Sequence, residues 1–222
     1  MNKATKIITG IFFLCLSLGV SAQTTHTIGV FCNPQLNVLD LKMQITNMPS
    51  LEKKTGISLS EGLFYQAKFN NLGFSVGLGY TKINNNYLFK GEPSHLIGRK
   101  EKSFLSIPVS FFYDFYQKGI FSIGANAGLS IDYLLKDEHT NPAYEILTSK
   151  PHTPKFGDRI NLSAFAGIDF KWTFSNGIGI GITPNCSYIF TNTLTVERQM
   201  KSKNIIERYI NIGMSAKFFY TF

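Results

Sequence analysis

Long stretches of this chain alternate between apolar and polar residues. Such alternation predicts β-strands, because successive side chains of a strand point to opposite faces of a sheet. The stretch GIFSIGANAGLSIDYL at 119–134 places apolar side chains on one face and mostly Ser, Gly and Asn on the other. Residues 160–174 repeat the scheme, and only Phe165 stands on the wrong face. Eight strands are predicted, at about 26–39, 57–70, 72–83, 103–116, 119–134, 160–174, 177–191 and 206–222.

The connections between these strands alternate between two lengths. Three are very short, at Asn70-Asn71, Gln117-Lys118 and Ser175-Asn176, and long polar ones lie near 40–56, 84–102, 135–159 and 192–205. Short and long connections therefore fall at opposite ends of one antiparallel up-and-down sheet.

The polar faces of the strands decide which side of the sheet meets water. On the fifth and sixth strands, Asp132, Asp169 and Lys171 are the only charges on that face. A soluble surface carries roughly 25 to 35% charged residues, so this face suits the narrow interior of a barrel better than bulk water. The apolar face then meets lipid, where a sheet has to close because unpaired edges are costly. We therefore predict an all-β fold, an eight-stranded antiparallel up-and-down transmembrane β-barrel.

The glycine-rich stretch NGIGIGIT at 176–183 fits this barrel. A phosphate-binding loop needs the spacing G-x-G-x-x-G between a strand and a helix, whereas here the spacing stays at two. Gly177, Gly179 and Gly181 are predicted to face the lumen, where space is short. The alternative architecture is a soluble barrel with its apolar face inside, which would enclose a ligand.

Three prolines interrupt the predicted strands. Pro34, Pro108 and Pro184 each lack the N–H that a sheet ladder needs. β-Bulges are the usual remedy, and a bulge after Pro184 would reverse the faces assigned to Cys186 and Tyr188.

Aromatic residues of the apolar face gather near the short connections and the last strand's end. Such rings form girdles at membrane interfaces. The predicted girdle comprises Phe69, Tyr113, Phe115, Phe121, Trp172, Phe174, Tyr220 and Phe222.

The N-terminal stretch predicts export. Lys3 and Lys6 precede an apolar run from Ile7 to Val20 and a small-residue site that ends at Ala22. The run of about 14 residues is shorter than the roughly 17 to 25 of a spanning helix. We predict a signal peptide over 1–22 that is cleaved in transit to the bacterial outer membrane, and one barrel domain over 23–222.

The charges of the chain suggest an internal network and a lipid contact. The formal net charge is +8, yet an exported chain without long basic runs is not expected to bind nucleic acid. Charges inside a barrel have to be paired, so inward-facing residues are predicted to form a network that plugs the lumen. Arg99, Lys100 and Lys102 lie in a predicted loop and could contact phosphorylated outer-membrane lipids. The predicted lumen network is Lys68, Asp114, Asp132, Asp169, Lys171 and Lys217.

No arrangement of residues predicts catalysis. Three of the four histidines, His95, His139 and His152, lie in predicted loops, and no serine and acid stand out as their partners. No His or Cys pair has metal-ligand spacing. We therefore expect a non-enzymatic protein without cofactor or metal, although a lipid-modifying enzyme is an open alternative.

Two stretches resemble a known family. The strand FLSIPVSFFYDF at 104–115 and the ending NIGMSAKFFYTF resemble the PorT-like outer-membrane β-barrel family of Bacteroidetes-type bacteria. The aromatic ending is similar to the signal that the barrel-assembly machinery reads during insertion. The resemblance implies an eight-stranded barrel like the small OmpA or OmpX-type proteins, and the roles in that family are mostly unassigned. We expect a structural or interaction role through four extracellular loops. One branch of that family serves a secretion system, so an accessory role in a secretion or envelope-assembly machinery, with an unknown envelope protein as partner, is the alternative function.

Overall fold

A computed structural model describes residues 24–43, 50–53, 56–90, 96–140, 159–190 and 205–222. Within these ranges the chain is almost entirely strand. No helix there is long and apolar enough to cross a membrane. The strands are β1 (Thr24–Met43), β2 (Ser50–Lys53), β3 (Gly56–Phe69), β4 (Leu72–Lys90), β5 (Leu96–Lys118), β6 (Phe121–Thr140), β7 (Ile160–Thr173), β8 (Ile178–Ile189) and β9 (Ile205–Thr221).

The strands close into a barrel. Each pairs antiparallel with its neighbours in the order β4-β3-β1-β9-β8-β7-β6-β5, and β4 pairs with β5 to complete the circle. The four-residue β2 pairs with β4 at Tyr87–Lys90, beyond the point where β3 leaves β4 at Asn84. Because β2 continues the line of β3, the two occupy one strand position, and the barrel is eight-stranded. The predicted fold class is confirmed.

Several strands are longer than their hydrophobic pattern predicts. β4 runs to Lys90 and β5 begins at Leu96, and the two remain paired up to Phe89 and Leu96. The predicted long loop at 84–102 is therefore mostly a hairpin. The alternation ends early there because polar runs interrupt it at Asn84-Asn85-Asn86 and at Arg99-Lys100-Glu101-Lys102, while backbone pairing needs no apolar face to continue.

Three tight turns join strands at one end of the barrel, called here the short-turn end. They contain Asn70, Gly119 and Gly177, with φ of 53°, 57° and 83°. Asn and Gly tolerate this left-handed backbone better than other residues. Gly177 therefore belongs to a turn and does not face the lumen as predicted, whereas Gly179 and Gly181 are buried inside. The second turn lies at Gly119-Ile120, two residues beyond the predicted link.

The two faces have the predicted polarity. Phe111 is 66% exposed on the outer surface, whereas its neighbour Phe112 is 3% exposed inside the barrel. The outward positions of the strands are mainly Ile, Leu, Val and aromatic residues, and the buried inward ones are mainly Ser, Asn, Thr, Lys and Asp. One exception is Glu61, an exposed carboxylate that lies on the outer face between Leu59 and Leu63.

The prolines do not cause the bulges that we predicted. Pairing continues in one register past Pro34, Pro108 and Pro184, and each proline leaves a gap in the pairing with one neighbouring strand. Cys186 accordingly stays on the outer face. The register shifts occur instead between β5 and β6, where Leu135 and Phe115 are the extra residues.

Candidate functional site

The interior of the barrel holds a first cluster of charges around Asp114. Its two carboxylate oxygens lie 2.7 Å from Nζ of Lys68 and 2.7 Å from Nζ of Lys171. Asp114 is 1% exposed, and it projects inward next to the bulge at Phe115. Lys171 also lies over the ring of Phe112, with Nζ 4.9 Å from the ring centroid. The carboxylate of Asp114 on β5 thus pairs with one lysine on β3 and one on β7.

A second cluster surrounds Asp169, which is 2% exposed. Oδ1 accepts hydrogen bonds from Nζ of Lys217 at 2.7 Å and from Oγ1 of Thr183 at 2.5 Å. Oδ2 accepts from Nδ2 of Asn126 at 2.8 Å. These donors satisfy both oxygens, so this charge is stable without bulk water.

Asp132 stands apart from the other five residues of the predicted network. Its carboxylate accepts hydrogen bonds from Oγ of Ser130 at 2.7 Å and from Oγ of Ser163 at 2.9 Å. Both donors are neutral hydroxyls. Among the described residues, none brings a positive charge within ion-pair distance of it. The structure therefore assembles two ion-pair clusters and a separate carboxylate rather than one network.

The lumen also contains a cavity of about 190 Å³. We predicted that the lumen is plugged by its side chains, and the cavity shows that they do not fill it completely. Space remains because Gly77, Gly79 and several serines occupy inward positions that larger residues would fill. Phe165, which stood on the wrong face of the sequence pattern, is one of the rings that line the cavity.

Carboxamide side chains line one wall of the cavity. Asn185 on β8 exchanges hydrogen bonds with Asn33 and accepts one from Gln35, both on β1. Asn37 and Asn211 are register partners on β1 and β9. Nδ2 of Asn37 and Oδ1 of Asn211 have no hydrogen-bond partner in the described part of the chain, so a bridging polar group would satisfy both.

The interior toward the other end, called here the long-loop end, contains an apolar cluster beside the buried polar residues Lys102, Ser58 and Asn37. Ile83, Phe104, Leu134 and Ile189 form a buried cluster, and the first two and the last also line the cavity. The cavity therefore lies between this apolar cluster and the charges near the short-turn end.

The predicted girdle residues gather at the short-turn end on the outer side. Ring centroids of Phe121 and Trp172 lie 5.2 Å apart, and those of Tyr220 and Phe222 lie 6.1 Å apart. Phe69, Phe121 and Trp172 are partly exposed, and the others are exposed: Tyr113, Phe115, Phe174, Tyr220 and Phe222. The sequence pattern missed His26, whose ring stacks on Tyr65 and Phe222 and whose Nδ1 lies 2.7 Å from the Tyr65 hydroxyl.

One of the three predicted lipid-contact residues is placed wrongly. Lys102 is 1% exposed, because it lies inside the barrel on β5 rather than in a loop. It cannot contact lipid headgroups in this position. Arg99 and Lys100 also lie in β5, but their side chains are outside the described part of the structure.

Residues with metal-binding side chains are dispersed. No group of three His, Cys, Asp or Glu side chains that could hold a metal ion occurs in the described ranges. Residues 1–23 lie outside those ranges, so the signal peptide remains a prediction.

Comparison with known proteins supports the fold. No protein family and no curated protein matches this sequence. The outer membrane protein OprG from Pseudomonas aeruginosa aligns with 90% of this chain and 96% of its own, with a TM-score of 0.53 and 9% identity. The outer membrane enzyme PagL (84% and 97%, TM-score 0.41, 13% identity) and Ail of Yersinia pestis (86% and 98%, TM-score 0.35, 12% identity) also align. At such identities the likeness is one of fold, and the OprG alignment carries it.

Proposed function

We propose that this protein is a small bacterial outer-membrane β-barrel with a lumen closed at the short-turn end, and that it acts through its long-loop end as a structural or interaction protein. The observation that carries this proposal is the pair of ion-pair clusters around Asp114 and Asp169 inside a barrel with an apolar outer face. The predicted signal peptide over 1–22 and the resemblance to the PorT-like family agree with it.

The closure follows from what occupies the interior. Phe64, Phe112 and Phe219 are buried inside, and they lie close in sequence to Lys68, Asp114 and Lys217, respectively. The interior of an eight-stranded barrel is narrow, so at the short-turn end these rings and the paired charges together leave no continuous water path. The orientation is part of the proposal: the short turns face the periplasm, as is usual for such barrels.

The closed lumen is tested by single-channel recording. Purified full-length protein in planar lipid bilayers is expected to give no steady conductance, and a general porin in the same bilayers serves as the positive control. Stepwise conductance from the pure protein would contradict the closed lumen.

The location and the role need separate measurements. Protein from an outer-membrane fraction should migrate differently before and after boiling, because a closed barrel resists detergent until heated. A protein found only in the soluble fraction would contradict the proposal. Envelope proteins that co-purify reproducibly would support an accessory role in a secretion or envelope-assembly machinery, and altered lipid A on overproduction would instead indicate a lipid-modifying enzyme.

A further inference from the structure

The cavity in the lumen has the size of a small-molecule site. Its volume of about 190 Å³ somewhat exceeds the roughly 150 Å³ of an engineered protein cavity that binds benzene. A molecule with one ring and a short substituent, about eight non-hydrogen atoms, would fit it. The surrounding sheet is hydrogen-bonded around the whole circle, and ion pairs between alternate strands support it from inside, so the walls resist collapse into the space.

The walls combine aromatic rings with small side chains. Phe31, Phe64, Phe104 and Phe165 line the cavity from four different strands. Gly79 leaves room for one of these rings, because a Cβ there would lie 3.1 Å from Cζ of Phe31. Between these rings the lining residues are mainly Ser, Thr, Asn and Gln, and ligand pockets likewise combine apolar surface with polar groups that orient the ligand.

The charges on the wall are not balanced. Of the described residues that line the cavity, only Asp132, Asp169 and Lys217 carry a charge. Lys217 pairs with Asp169 at 2.7 Å, which leaves neither of these two charges free. Asp132 accepts hydrogen bonds from two serine hydroxyls only, so the charge that has no counterion on the wall is negative.

We propose that this cavity binds a small organic ammonium ion, with the ammonium group at Asp132 and the organic part among the phenylalanines. A carboxylate binds a charged donor such as an ammonium group more strongly than it binds a neutral donor, because the hydrogen bond is charge-assisted. Aromatic faces attract the same cation through their quadrupole. Phe104 lies diagonally across the β5–β6 ladder from Asp132, within the range in which aromatic side chains interact. This site goes beyond the proposed structural or interaction role and does not depend on it.

Two isosteric probes test the proposal. Benzylamine is a cation at neutral pH, and benzyl alcohol has the same shape without the charge. Binding of each to refolded full-length protein in detergent is measured by calorimetry and by amide chemical-shift changes. The wild-type protein should bind benzylamine at least about tenfold more tightly than benzyl alcohol, which is the effect of one charge-assisted contact.

Two matched variants locate the contact. Asp132→Asn should remove the preference for benzylamine, because the amide keeps the shape and loses the charge. Glu61→Gln makes the same chemical change on the outer face and should leave the preference intact. Folding of both variants is checked by the mobility of the unboiled protein, and the comparison of probes on wild-type protein stands even if a variant fails to fold.

Three results would overturn the proposal. Equal or tighter binding of benzyl alcohol would show that the cavity does not select a cation. Absence of binding by both probes would show that the cavity holds only water. An unchanged preference in folded Asp132→Asn protein would place the cation somewhere else.

Discussion

Asp114 illustrates how single residues hold the interior together. It is almost completely buried and contacts two lysines, one of which retains 20% side-chain exposure. A buried charge that loses its partner keeps its desolvation cost without the compensating attraction. The stability of the barrel therefore depends on a carboxylate at this position more than on most outward-facing residues.

The variant Asp114→Asn tests this dependence. We expect a loss near the lower end of the roughly 3 to 5 kcal/mol typical of a broken buried pair, because partial exposure of Lys68 reduces the effect. Urea unfolding in lipid vesicles, followed by the fluorescence of the single tryptophan, measures it. Glu61→Gln is the control, and equal stability of the two variants would contradict the assigned role of Asp114.

Gly179 gives a second prediction at this scale. A Cβ at Gly179 would collide with the ring of Phe219, whereas a Cβ at Gly181 would have its nearest neighbours at 3.4 to 3.6 Å, an ordinary contact. Gly179→Ala should therefore destabilise by about 1 to 3 kcal/mol, the usual cost of overpacking, and Gly181→Ala by much less. Adding Phe219→Leu should recover part of the loss in Gly179→Ala. Strict additivity in this double-mutant cycle would show that the two residues do not compete for space.

At the scale of the strands, the chain's alternation predicts faces better than lengths. Phe111 on the outer face and Ser110 on the inner face follow the pattern, because lipid and a narrow lumen each select one kind of side chain. The position of Lys102 inside the barrel could not be predicted, because residues 99–103 are all polar. An all-polar run does not distinguish a strand from a loop. The contacts of Asp114 with Lys68 and Lys171 could not be derived, since they depend on register and on the bulge at Phe115.

The cavity could not be predicted from the sequence either. Gly77 and Gly79 could be assigned to the inner face, but the space they leave depends on which rings meet them across the lumen. A Cβ at Gly77 would lie 3.0 Å from Cγ of Pro108, so a neighbouring strand fills part of that space. Such contacts between strands are set by the three-dimensional packing and not by the local pattern.

Trp172 tests the membrane position of the short-turn ends of the strands. It is the single tryptophan of the chain and packs against Phe121 in the predicted girdle. Lipids brominated near the headgroup end of their acyl chains should quench its fluorescence more than lipids brominated near the chain terminus, because girdle rings sit at the interface. Trp172→Phe protein provides the background signal. Stronger quenching by the lipids brominated near the chain terminus would show that this end of the barrel lies in the hydrocarbon core and not at the interface.

On the scale of the whole molecule, the charges form ties that skip strands. Lys68 on β3 contacts Asp114 on β5, which contacts Lys171 on β7, and Asp169 on β7 contacts Lys217 on β9. Asn185 on β8 reaches β1 in the same way. Each tie therefore spans the strand that lies between its two ends.

These ties have a mechanical consequence. Hydrogen bonds between adjacent strands fix the circumference of a cylinder but not its cross-section, which can flatten into an ellipse without breaking them. The contacts between alternate strands resist that flattening, because they fix distances across the interior. A barrel braced in this way should keep a round outline when lateral pressure in the surrounding bilayer changes.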